Sequence, residues 1–191
     1  MKTTLYQSRD QWLAARRGKI TGSRVKDLIV KRGTGKKKCY YELIAERLSI
    51  PADGENPMDR GTRLEPEAMA RFIKETGKEV DTSLVIWSRD ENDSIAISPD
   101  GFINEVEAVE VKCLSSASHI EAFLTQEVPS EYEDQATQYF VVNDLLQTLY
   151  LVFYDPRLQC KDYFVLELKR DQEKVDTYLE YERTTMREIE D

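Results

Sequence analysis

The hydrophobic period changes near Gly77, and that change limits the folds open to this chain of 191 residues. Before it, apolar residues recur at helical spacing; after it, short runs alternate apolar and polar residues with a period of two. Ser8 to Gln11 has capping-box spacing ahead of Trp12, Leu13, Ala14 and Ala15, which predicts a first helix ending near Gly18. Ser23 is placed to cap a second helix through Val25, Leu28 and Ile29. A third covers Tyr40 to Leu48, and a longer one runs over 58–76 until Gly77 stops it, with Pro66 as a kink or a late first turn. Val80 to Trp87, Ser94 to Ser98, Gly101 to Ile103 and Ala108 to Cys113 then read as strands joined by tight polar turns, a meander. Helices at Ser118 to Leu124 and Ser130 to Val142, strands at Thr148 to Tyr154 and Asp162 to Leu168, and a polar closing helix from Gln172 to Ile189 complete the order. The pattern predicts an α/β fold, a central mixed β-sheet flanked by α-helices in the order αβββαβ.

A chain of this length fits one domain, residues 1–191. No apolar run approaches the roughly 20 residues of a membrane span, and Met1 to Asp10 has no apolar core of a secretory signal. A cytoplasmic location without membrane contact follows. Cys39, Cys113 and Cys160 are too few and too scattered for a disulfide framework or a four-thiolate iron–sulfur cluster. A single histidine, His119, argues against a zinc hydrolase. The net charge of −9 hides a segregation: residues 1–40 hold 12 Lys/Arg against Asp10 and Asp27, a balance of +10, and the remainder carries −19. A basic leading segment on an acidic body suits one face that meets phosphate. Arg16 and Arg17 would lie beside the free backbone N–H groups of the helix that Ser23 caps, an anion pocket in outline. The basic loop from Lys31 to Lys38 lacks nucleotide-binding spacing and carries no ATP role.

The stretch that carries chemistry is Ser98-Pro99-Asp100-Gly101, followed nine residues on by Glu110-Val111-Lys112. Glu110 and Lys112 are two apart on one strand, so they share a face, and the intervening hairpin brings Asp100 opposite Glu110. Val109 and Val111 alternate with them, and charges on such a β-branched strand need a reason. Carboxylate oxygens with no imidazole or thiolate nearby favour Mg²⁺, with Mn²⁺ as a substitute, and such an ion accepts phosphate oxygens. A lysine, with its ordinary pKa of about 10.4, stays cationic there and stabilises charge on a pentavalent phosphorus.

These residues resemble the signature of the PD-(D/E)XK nucleases, Pro99-Asp100 and Glu110-Val111-Lys112, whose restriction-endonuclease-like core has the predicted element order. Further motifs narrow the resemblance to the lambda-exonuclease-like, or YqaJ viral recombinase, family. Trp12 and the run from Ala15 to Ser23 resemble its amino-terminal motif, which implies Arg16 and Ser23 as 5′-phosphate ligands, with Arg17, Lys19, Met58 and Ser98 as further DNA contacts. Gly61 to Glu65 resembles its G-x-x-x-E helix and Tyr132 to Gln135 its Y-x-x-Q, so Glu65 and Gln135 join Lys112 as catalytic residues. Asp100, Glu110 and the Val111 carbonyl are then the metal ligands. Tyr154-Asp155-Pro156-Arg157 matches a later strand-end motif. The resemblance implies a Mg²⁺-dependent 5′-to-3′ exonuclease on double-stranded DNA ends, leaving 3′ single strands for annealing recombination. It also implies a homotrimeric ring and a single-strand annealing protein as partner, in a bacterial or phage-infected cell. Within the domain, residues 1–50 would bind DNA, 58–168 form the catalytic core and 171–191 the closing helix. Two rivals remain open: an endonuclease or junction resolvase of the same superfamily, and a catalytically inert DNA-binding protein on the same fold.

Overall fold

The computed structural model describes residues 7–21, 24, 27–30, 33–50 and 54–190. Among them the elements run α1 (Arg9–Arg16), α2 (Lys38–Leu48), α3 (Pro57–Thr76), β1 (Trp87–Arg89), β2 (Asn92–Ile97), β3 (Gly101–Asn104), β4 (Glu107–Lys112), α4 (Ser116–Thr125), α5 (Ser130–Val142), β5 (Thr148–Tyr154), β6 (Tyr163–Lys169) and α6 (Gln172–Glu190). Local chemistry sets the ends. The Ser8 hydroxyl accepts from the Gln11 N–H and starts α1. Asn56 does the same for Met58 ahead of Pro57 at the first turn of α3, and Gly77 ends that helix at φ 69°, a left-handed cap. The predicted second helix depends on Ser23 and Val25, which lie outside the described residues.

Strands β3, β4, β5 and β6 form one sheet in that order; β4 pairs parallel with β5 and the other two pairings are antiparallel. The parallel step is crossed by α4 and α5. Both faces of the sheet are covered, giving the predicted mixed sheet flanked by helices. Val109, Val111 and Val152 pack on Ala68, Met69 and Phe72 of α3, while Ala108, Leu149, Leu151 and Phe153 pack on Ala136, Tyr139 and Phe140 of α5. His119 is buried in α4, with Nε2 2.8 Å from the Lys161 carbonyl.

The expected meander beginning at Val80 is not what forms. Strands β1 and β2 make a two-stranded sheet of their own, and residues 80–86 touch the main sheet's ladder only where Asp81 bridges Phe102. The Asp81 carboxylate accepts from the Ser83 N–H at 2.8 Å, an Asx-type turn that leads the chain off the sheet edge. Leu84 is left fully exposed and cannot anchor a strand.

At the carboxyl end of β5, Asp155 is 0% exposed and accepts from Arg157 Nε at 2.8 Å, Arg60 at 3.4 Å and the Ser116 hydroxyl at 2.5 Å. Arg60, from the first turn of α3, also donates to the Cys113 carbonyl at 2.6 Å and to that of Leu114. This node pins α3, α4 and the ends of β4 and β5 together. Asp155→Ala leaves the buried Arg60 without its carboxylate, and a loss of about 3–5 kcal/mol is expected. Urea unfolding checks it, and an unchanged midpoint would show that water compensates.

Candidate active site

Strand β4 presents alternate residues to different helices, and that alternation makes the site. Val109 and Val111 go to α3; Glu110 and Lys112 go to the α5 side. Glu110 is only 4% exposed, and a buried carboxylate is tolerable only when its oxygens are bonded. Its Oε1 accepts from Lys112 Nζ at 2.6 Å and from Gln135 Nε2 at 2.9 Å, and its Oε2 accepts from the Tyr139 hydroxyl. Lys112 Nζ also donates to Gln135 Oε1 at 2.7 Å and stands 4.5 Å from the centre of the Tyr132 ring. Tyr132, Gln135 and Tyr139 follow helical spacing on one side of α5, so among the described residues one helix supplies the neutral side-chain partners of the pair.

Asp100 precedes β3, where Gly101 allows a close approach: a Cβ there would lie 2.6 Å from Val80 Cγ1 and 3.0 Å from Met69 Cε. Asp100 Oδ2 accepts from the Val111 N–H at 2.8 Å. In a strand the N–H and C=O of one residue leave by the same edge, so the Val111 carbonyl emerges on the Asp100 side of β4. Burial first, then the charge of Glu110 and of Glu65, pushes the Asp100 carboxyl up to about 7. Glu65, half-buried on α3, is likewise raised by burial and by Glu110, with Lys112 opposing. Three acidic side chains therefore sense one another, a repulsion that a divalent cation relieves. The adjoining Cys113 thiol, pushed up to about 11 by burial, stays protonated and out of the ligand set. Among the described residues no three acidic, imidazole or thiol groups are close enough to hold an ion alone. A cation here needs a backbone oxygen or water to complete its shell, as a hard ion accepts.

A second feature opens where β4 runs out. A cavity of about 610 Å³ is lined by Arg16, Arg17, Arg24 and Arg157, with Ser115 and Ser116 at the start of α4. Arg17 donates to the Ser49 carbonyl at 2.6 Å, and Arg24 clasps Glu46 at 2.8 and 2.6 Å. Arg16 stacks on Trp12, its guanidinium carbon 4.2 Å from the ring centre.

Residues 11–145 match the model of the YqaJ-like viral recombinase domain, well over half of the chain. The chain belongs to this family. A solved structure of LHK-Exo, an alkaline exonuclease from Laribacter hongkongensis, is 31% identical with a TM-score of 0.57, the match covering 95% of this chain and 96% of that one. A structure of LHK-Exo in complex with dAMP is 30% identical with a TM-score of 0.58, over 94% and 99% of the two chains. Among curated proteins no match is found. Membership makes the protein an enzyme, a deoxyribonuclease in a family of metal-dependent nucleases.

In this YqaJ-like protein Glu110, Lys112 and Gln135 are in direct contact, and Asp100 and Glu65 complete the acidic group. Arg16 and Arg17 line the cavity; Ser23 lies outside the described residues. Lys19 and Ser98 are exposed, and Met58 is 81% exposed at the start of α3, a protruding side chain and not core. Sequence reasoning missed Tyr139, although its place four residues after Gln135 was a usable signal. It also missed Arg24 and the Arg60–Asp155 pair, which no local pattern reveals. No helix among the described residues is long and apolar enough to cross a membrane.

The raised Asp100 carboxyl has a definite sign. Its folded value lies above the unfolded one, so its ionisation opposes folding at pH 8, and this cost fades as pH falls through about 7 and is gone below the unfolded value near 4. Asp100→Asn is expected to raise the Tm of the metal-free protein at pH 8, by roughly 2–4 °C per kcal/mol relieved. The gain should vanish at pH 4, and a pH-independent shift would contradict the repulsion.

Proposed function

We propose that the protein is a Mg²⁺-dependent 5′-to-3′ exonuclease that digests one strand of linear double-stranded DNA and leaves 3′ overhangs for single-strand-annealing recombination. The observation that carries this is the contact of Lys112 with Glu110 and Gln135 a short chain-length from an arginine-lined cavity. Ser115, on the cavity wall, is three residues beyond Lys112, a reach of at most about 11 Å. A terminal phosphate seated among Arg16, Arg157 and the serines therefore leaves the first phosphodiester near Lys112, which suits release of one nucleotide at a time. The dAMP complex of LHK-Exo fits that product class.

Asp100, Glu110 and the Val111 carbonyl would hold Mg²⁺, and Mn²⁺ in its place. A cation held there supplies Lewis-acid activation of water and neutralises charge on the phosphate. The rest falls to the chain's own side chains. The Lys112 ammonium lowers the energy of negative charge gathering on the reacting phosphorus. Gln135 fixes Lys112 and Glu110 in register with each other, and Glu65 adds a hydrogen-bonding carboxyl on the α3 side. Arg16 and Ser23 bind the 5′-phosphate, while Arg17, Lys19, Met58 and Ser98 touch DNA. Residues 1–50 serve as the DNA-binding segment of a single domain whose core is 58–168 and whose closing helix is 171–191. A homotrimeric ring, a single-strand annealing partner and a cytoplasmic setting complete the reading.

Lys112→Ala should lower strand digestion by at least about 100-fold with DNA binding retained, as for loss of a preorganised charge at the reacting centre. Arg16→Ala should slow 5′-phosphorylated ends far more than 5′-hydroxyl ends. Digestion of linear and circular duplex side by side decides the class; cutting of circles would replace the exonuclease with an endonuclease, and no cutting of either would leave an inert binder.

A further inference from the structure

We propose that Tyr139 is a positioning residue that fixes the orientation of Glu110, one of the acidic ligands of the metal site. The proposal rests on the metal reading given above. Tyr139 is 0% exposed, and its hydroxyl donates to Glu110 Oε2, the oxygen that Lys112 and Gln135 leave alone.

The ring cannot turn away. Trp87 of β1 meets it edge-on at 6.4 Å between centroids and 82° between planes, and Trp87 in turn packs 5.7 Å from Phe102 of β3. The small β1–β2 sheet thus has a task, to close the pocket in which the phenol sits. A carboxylate ligand holds its orientation through the partners of its other oxygen, and removing such a partner typically weakens metal affinity about 10- to 100-fold. With Oε2 bonded to Tyr139, a cation would meet Glu110 through Oε1, the oxygen that Lys112 and Gln135 also contact.

Tyr139→Phe keeps the ring and deletes the hydroxyl. Calorimetric titration of the full chain with Mn²⁺ alone is expected to give a Kd at least about 10-fold weaker than wild type. Digestion should recover towards the wild-type rate at saturating Mn²⁺, a pattern that general loosening of the core would not give. A folded Tyr139→Phe with wild-type Mn²⁺ affinity overturns the assignment and leaves the metal site standing. If that variant does not fold, Trp87→Leu, which frees the ring, must weaken Mn²⁺ binding in the same direction, and an unchanged Kd overturns the proposal. A wild-type protein that takes up no Mn²⁺ brings down the metal reading itself.

Discussion

A carboxylate sealed inside a sheet is the constraint from which the rest of this structure follows. Glu110 occupies a central position of β4, paired in register with Leu151 of β5 and nearly closed to solvent. A lone charge there would cost several kcal/mol, so the fold must supply donors to both oxygens. Helix α5 has to approach this face of the sheet with Gln135 and Tyr139 aimed at it, and Lys112 has to lie two residues along the same strand. The parallel β4–β5 step, with α4 and α5 in the crossover, is the topology that delivers such a helix.

The parts legible in the sequence are those governed by local period. Ser130–Val142 and Thr148–Tyr154 form with the limits their spacing implies, because each packs a regular apolar face on the core. The contact of Glu110 with Lys112 is legible for the same reason, being fixed by the pleat of one strand. Residues 80–86 mislead because alternation states which side of a strand would be apolar but not whether a neighbour exists to pair with it. Asp81 ends the pairing after one bridge, and Ile86 is left largely exposed. Asp155 shows the complementary failure. Its neighbour Arg157 lies in the same short motif, but its other partners Arg60 and Ser116 are 95 and 39 residues away, and the motif does not show that they converge on one buried carboxylate.

The charge balance of the leading segment also changes meaning in three dimensions. Twelve Lys/Arg in residues 1–40 suggest an open cationic surface, but several are committed. Arg24 is bound by Glu46 with Glu42 at 3.9 Å, and Arg17 by the Ser49 carbonyl. Helix α2 supplies these acids to the edge of the cavity and so keeps neighbouring guanidinium groups from repelling one another. Such pairing fixes cations in place at little net stability, and it favours geometric definition of an anion site over raw positive potential.

The same distinction between fixed and free charge applies to Lys112. Its closest partner is Glu110, and a divalent cation on that carboxylate would oppose the ammonium; two unit charges 4 Å apart interact by about 4 kcal/mol at an effective dielectric constant near 20, and a divalent ion doubles this. A lysine held by Glu110 alone would be driven out. Lys112 has two further supports that do not depend on Glu110, the Gln135 carbonyl at 2.7 Å and the Tyr132 ring at 4.5 Å. Both come from α5, and neither carries a charge that a cation could claim. The spacing of Tyr132 and Gln135 therefore serves a purpose beyond satisfying one amide: it lets an ammonium group and a cation site share one carboxylate without either displacing the other.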